Sequence, residues 1–151
     1  MAAPFVGFMV DKHWFHFGWG DYLFSFFSTV TGRLEKHWGE RFPLIMNELC
    51  NNGRIRKEDV KQARKELRVI QQELKAFPPR AVIWDIERPD AVGPWGPNNE
   101  KIPNDGQVPN LACCFRSEDK VDLFVLLDAA FQFALKQKAD VELQSHSGKE
   151  E

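Results

Sequence analysis

The stretch from Gly18 to Pro43 limits the possible folds more than any other. It opens with Gly18-Trp19-Gly20-Asp21 and runs through Tyr22-Leu23-Phe24-Ser25-Phe26-Phe27-Ser28-Thr29-Val30. It closes on Trp38-Gly39-Glu40-Arg41-Phe42-Pro43. So many aromatic rings need a core or an interface, because each carries a large apolar area out of water. Gly18-Trp19-Gly20 reads as a turn and Asp21 as a helix N-cap. Leu23, Phe26, Phe27, Val30 and Leu34 recur at helical spacing and predict a helix to about Glu35 with one buried stripe. Ser25, Ser28, Thr29 and Gly32 are small, so another segment can approach this helix closely. A second short helix is expected from Pro43 through Leu44, Ile45, Met46 and Leu49 to the stop signal Asn51-Asn52-Gly53.

Around this hub the chain reads as follows. Phe5 to Phe17 is free of proline and rich in Phe, Val and Trp, and predicts one long central strand. Alternation along it places Val6, Phe8, Val10 and Trp14 on one face and Phe5, Met9, Phe15 and Phe17 on the other. Val60, Ala63, Leu67, Ile70, Leu74 and Phe77 make the clearest helical stripe, over about 57–77, ended by Pro78-Pro79. The basic residues of that helix alternate with Glu58, Asp59, Glu66 and Glu73, which indicates a solvated, ion-paired face rather than a nucleic-acid patch. Ala81 to Ile86 and Leu111 to Phe115 read as strands. Between them Arg88 to Asn110 forms a long loop with five prolines. Ser117 reads as the N-cap of a last helix to about Gln137, with Val121, Phe124, Leu127, Phe131, Ala134 and Leu135 inward. Ala139 to Leu143 reads as a final short strand. The expected architecture is α+β: one domain over 1–144, about four mainly antiparallel strands and four helices in the order β-α-α-α-β-loop-β-α-β. Residues 145–151 are expected to form a disordered tail.

A length of 151 residues suits one core. The net charge of −2 argues against nucleic acid or an anionic membrane surface as partner. The charge is unevenly spread, with +3 before Arg80 and −5 from there on. Three cysteines, two of them adjacent, do not make a disulfide framework and point to a reducing compartment. The first residues lack the pattern of a signal peptide, and no run reaches the roughly 18 apolar residues of a membrane span. A cytoplasmic location is therefore expected.

Three places could carry chemistry. His13-x-x-His16 has an odd spacing that sends the two rings to opposite faces of a strand, so convergent metal ligation is not expected. Cys113-Cys114 could hold a reactive thiol only if a neighbouring base or helix start lowered its pKa. Asp85-x-Glu87, followed by Asp90, could act as an acid–base pair, an acidic contact patch or a solvated strand end. No phosphate loop, triad or dinucleotide fingerprint accompanies them, so no catalytic residue, metal or cofactor is expected. Trp95, inside Gly93-Pro94-Trp95-Gly96-Pro97, either plugs back onto the core or is presented to a partner.

The ordered set of motifs resembles a bacterial toxin-immunity family, immunity protein 70. The matching features are the first strand into Gly18-Trp19-Gly20, Phe26-Phe27-Ser28-Thr29, Trp38-Gly39 with Arg41-Phe42-Pro43, and Met46-Asn47-Glu48-Leu49. The charged helix to Phe77-Pro78, Val82-Ile83-Trp84-Asp85-Ile86-Glu87 and Pro94-Trp95-Gly96 complete the set, over roughly residues 5–143. The resemblance implies a non-enzymatic antidote that holds the C-terminal domain of a polymorphic or contact-dependent growth-inhibition toxin in the cytosol. On that reading Asp85, Glu87, Asp90, Trp95, Glu100 and Asp105 are the expected partner-binding residues. Two other classes stay open. One is a homo-oligomeric module, such as a homodimer, joined through the aromatic strand and helix. The other is a small enzyme using Asp85/Glu87 or Cys113/Cys114.

Overall fold

Asp11 and Lys12 set the shape of the sheet. Both have positive φ, 45° and 71°, the backbone of a two-residue hairpin turn whose twist matches that of its strands. In this computed structural model, which describes residues 5–102 and 108–146, the segment expected as one long strand is therefore two. β1 (Phe5–Val10) and β2 (His13–Trp19) pair antiparallel, with Val10 opposite His13 and Phe8 opposite Phe15.

The turn also reassigns the faces. Directly opposed residues of antiparallel strands share a face, so Phe15 joins Phe8, while Trp14 and His16 join Met9 and Phe5. Trp14 and Phe15 thus sit opposite to their expected sides. A register shift between Val6 and Gly7 absorbs one extra residue, Phe17, which is buried. Gly7 is required here, since a Cβ would lie 2.6 Å from both the Trp14 ring and the Phe15 carbonyl.

β4 (Val141–His146) pairs antiparallel with β1 on its other side, and β3 (Arg54–Ile55) pairs with β4. The sheet order is β2-β1-β4-β3, so β1 is central and β2 lies at an edge. The class is as expected: α+β, with a four-stranded antiparallel sheet and four helices, three α and one π, among the described residues. The strands are not all where expected. Ala81–Ile86 and Leu111–Phe115 are outside the sheet. Pro79–Ala81 and Leu111–Cys113 are short 3₁₀ turns instead. β4 runs on to His146, past the expected end at Leu143, and 147–151 lie outside the described residues.

The helices follow their apolar periods. In α1 (Gly20–Leu34), Leu23, Phe26, Phe27 and Val30 are buried. Its N-cap is Trp19, with no side-chain cap bond, and Asp21 sits in the first turn, where a carboxylate suits the helix dipole. Leu44–Asn51 is a π-helix. In α2 (Val60–Leu74), Val60, Ala63, Leu67, Ile70 and Leu74 are all buried. In α3 (Leu123–Gln137), Phe124, Leu127, Phe131 and Ala134 are buried, while Val121, ahead of it, and Leu135 are exposed, contrary to expectation.

α3 starts later than Ser117 because two capping residues compete. The Ser117 hydroxyl accepts from the backbone N–H groups of Asp119 (3.2 Å) and Val121 (3.1 Å), which closes a separate turn. Asp122 then caps the helix, accepting from the N–H of Phe124 at 2.8 Å. Buried side chains of the sheet, all four helices and the 82–115 segment form one cluster.

Candidate functional site

The expected binding residues lie on a segment that crosses α1. The small residues of that helix are approached closely, as their size implied. Ser25 Oγ donates to the Ile83 carbonyl at 2.6 Å. Thr29 Oγ1 donates to the same carbonyl at 3.2 Å and accepts from the Ile83 N–H at 2.9 Å. Ser28 Oγ accepts from the Ile86 N–H at 3.0 Å, and Arg33 Nε donates to the Ala81 carbonyl at 2.8 Å. Gly32 leaves room for the Ile83 side chain. The segment 81–86 thus has strand-like composition, yet helix hydroxyls take the place of a neighbouring strand. Further on, Asn99 donates to the carbonyls of Arg80 and Val82. We call residues 81–102 the strap.

On the strap, Asp85 is half-buried and spent locally: it accepts from the Glu87 N–H at 2.9 Å and from Arg88 Nε at 3.1 Å. Glu87 and Asp90 are exposed and make no ion pair among the described residues. Beside them Ile86 and Val92 are 37% and 60% exposed. Trp95 plugs inward. It meets Trp84 at 5.7 Å and Tyr22 at 5.9 Å between ring centroids, and Trp84 meets Tyr22 edge-on at 5.5 Å. Glu100 folds back to accept from the Asn98 N–H at 3.0 Å, which holds its pKa below the usual carboxylate range. Asp105 lies outside the described residues. The structure therefore brings Asp85, Glu87, Asp90, Trp95 and Glu100 onto one strap, and the two carboxylates without an ion pair among the described residues, Glu87 and Asp90, lie near its start.

Sequence reasoning missed the cleft beside Trp95. It encloses about 540 Å³ and is walled by Trp19, Tyr22 and Trp95 on the aromatic side and by Arg116, Ser117 and Glu118 among others. Glu118 fixes this corner. Its N–H donates to the Phe17 carbonyl at 2.8 Å, and its carboxylate meets His16 Nε2 at 2.5 Å. His16 Nδ1 accepts from the Trp14 indole N–H at 3.1 Å, so the proton facing Glu118 sits on Nε2. The only signal for the cleft was the aromatic run itself.

The other chemical candidates resolve simply. The His13 ring meets that of Phe133 of α3 at a tilt, with centroids 4.7 Å apart, while His16 faces the opposite side of the sheet, as their spacing required. Among the described residues no group of three His, Cys, Asp or Glu side chains converges. Burial pushes the Cys114 thiol up to about 12, with adjacent Cys113 adding to the effect. Cys50 rises to about 12 for the same first reason, with Glu87 second. These two thiols carry almost no thiolate at neutral pH.

The Trp38–Pro43 motif is an interlock rather than a site. Glu35 accepts from the N–H groups of Gly39, Arg41 and Phe42, each at 3.0 Å. Buried Glu66 accepts from those of Leu44 (3.3 Å) and Ile45 (2.9 Å). Trp38 Nε1 donates to the Met46 carbonyl at 3.1 Å, and Arg41 forms a two-pronged pair with Glu73. Gly39, at φ 77°, packs against the Asn47 amide where a Cβ would not fit. These residues hold α1, the π-helix and α2 together.

No helix among the described residues is long and apolar enough to cross a membrane. No curated protein and no solved structure matches the chain. The sequence profile of the family described as immunity protein 70 matches residues 8–143, a span that takes in most of the hairpin, the interlock, the strap and the first half of β4. The chain therefore belongs to the immunity protein 70 family, and is an immunity protein directed against a toxin.

Proposed function

We propose that this chain binds the C-terminal domain of a cognate bacterial toxin in the cytosol and neutralises it by occupancy. The toxin would belong to a polymorphic or contact-dependent growth-inhibition system. The toxin face comprises Asp85, Glu87, Asp90, Trp95 and Glu100 of the strap, and Asp105, which lies outside the described residues, is assigned to it from the sequence alone. The observation that carries this reading is the pair of exposed carboxylates, Glu87 and Asp90, without ion partners among the described residues and beside exposed Ile86 and Val92. The strap is also fastened to α1 through Ile83 and Ile86, so it presents these groups without first being ordered. Asp85 and Trp95 act by shaping the strap, since both are turned to partners within the chain. Unpaired surface charge accelerates encounter with a partner of opposite sign and rejects partners of like sign.

The test is Glu87→Lys combined with Asp90→Lys. Both side chains are exposed, so the variant keeps the wild-type melting temperature. Its association with the toxin domain at low salt is expected to slow by about tenfold, and the salt dependence to flatten. Unchanged association kinetics in the folded variant would remove the strap from the toxin face.

A further inference from the structure

The exposed cations of α2 are not ion-paired as their sequence suggested. At about 100° per residue, Lys61, Lys65, Arg68, Gln72 and Lys75 fall within about 80° of the helix circumference and form a ridge about 21 Å long. All five are exposed. The acids expected to neutralise them are engaged elsewhere. Glu66 is buried and accepts the Leu44 and Ile45 amides, Glu73 holds Arg41, and Asp59 lies 3.8 Å from Arg56. On α3, Asp128 is held by Arg64 at 2.6 Å, and Arg68 acts on it only through space. Glu58 sits on the 3₁₀ turn ahead of the helix. Lys61, Lys65, Arg68 and Lys75 therefore have no hydrogen bond or ion pair among the described residues.

Exposed aliphatic groups flank this ridge. Val69, beside Lys65 and Gln72 on the helix, is 41% exposed. Val125 is 61% exposed and lines, with Arg68, a groove of about 300 Å³ between α2 and α3. The strap is the counterpart of this face. There Ile86 and Val92, both exposed, bracket Glu87 and Asp90, while Arg88 between the two carboxylates is turned to Asp85. One surface is cationic and aliphatic, the other anionic and aliphatic, and no ion pair joins them within the described chain. Unlike charges that find no partner within one copy are free to find one in another.

We propose that the α2 ridge is the docking surface for the strap of a second copy of this chain. Lys61, Lys65, Arg68 and Lys75 of one copy meet Glu87 and Asp90 of the other, with the aliphatic groups of both faces closing around the ion pairs. The contact is mainly electrostatic, so salt weakens it. It does not depend on the toxin-binding reading. Where the strap also takes the toxin, the two partners exclude each other.

Sedimentation of the chain alone over a concentration series, at low and high salt, tests this. The average mass is expected to rise with concentration at low salt and to return to that of one chain at high salt. Glu87→Lys/Asp90→Lys leaves two basic faces, and Lys61→Glu/Lys65→Glu/Arg68→Glu leaves two acidic ones. Each variant alone is expected to associate at least about tenfold more weakly than wild type at low salt. Mixed in equal amounts the two variants regain association, because the reversed strap of one fits the reversed ridge of the other. A variant that had merely misfolded could not do this. A wild-type chain that stays monomeric at low salt overturns the inference. So does association that neither variant weakens, which assigns it to another surface, and so does a mixture whose members stay apart. Inactivated toxin domain added to the wild-type assembly disperses it if the strap is also the toxin face. An assembly that persists with toxin bound leaves the self-association standing and moves the toxin off the strap.

Discussion

Glu35 and Glu66 divide between them the backbone of residues 39–45. Glu35 takes three N–H groups of the loop, and Glu66 takes the first two of the π-helix. The two carboxylates differ in setting. Glu66 is buried, and burial pushes its pKa above the usual value. The two amide bonds pull it back only in part, and Glu35 nearby pushes it further up. A raised carboxyl pKa in the folded state means that the fold binds the proton more tightly than the unfolded chain does. The Glu66 contribution therefore grows more favourable as pH falls through its folded pKa toward the unfolded value near 4.5. Glu73 and Asp128 behave oppositely. Hydrogen bonds from Arg41 and Arg64 hold their pKa values low, so the stability they contribute is present above their unfolded values and is lost below them. Urea melts of wild type and Glu66→Gln across this range should show wild type gaining on the variant as pH drops from 7 toward 4.5. A constant gap would mean that Glu66 is not desolvated.

At the scale of elements, two features depart from what their sequences suggest, and each yields a prediction. The hairpin turn uses Asp11-Lys12, both at positive φ, without glycine. A lysine there pays the steric cost of a left-handed backbone. Lys12→Gly should stabilise the protein by about 0.5–1 kcal/mol, since relief of that strain outweighs the extra entropy of the unfolded glycine. Thermal melting checks this, with a rise of roughly 2–4 °C expected. The strap is held through Thr29, which both donates to and accepts from Ile83. Thr29→Val removes both bonds at nearly constant shape and leaves the Ile83 N–H without its partner. A loss of about 1–3 kcal/mol is expected, together with faster hydrogen exchange at the Ile83 and Ile86 amides. Unchanged exchange there would show that packing, not the hydroxyls, holds the strap. These two features explain why the helices were legible in the sequence and the strands were not. Helix stripes such as Val60 to Leu74 depend on local period alone. The turn at Asp11-Lys12 carries no glycine signal, and the partners of Ile83 lie on a helix more than fifty residues earlier. Ser117 and Asp122 are both competent caps, so the start of α3 was ambiguous by five residues. Of the expected site residues, Glu87 and Asp90 stand exposed, whereas Asp85 and Trp95 turned inward to partners that no local pattern reveals.

Across the whole molecule, the sheet is closed by the strand that comes last in the described chain. β4 lies between β1 and β3, and pairs Phe5 with His146 and Ile55 with Val141. Without it the β1–β2 hairpin is a two-stranded ribbon, which is marginal in water, and β3 has no partner. A chain ending at Lys138 is expected to show no cooperative thermal transition. A sharp melt from that truncated chain would mean that the helices and hairpin form a self-sufficient core.

Ribosomal synthesis gives this order a consequence. The inner position beside β1 stays vacant until about a hundred further residues or more have followed β1 out of the exit tunnel. A translation product aborted before β4 therefore cannot complete the described sheet.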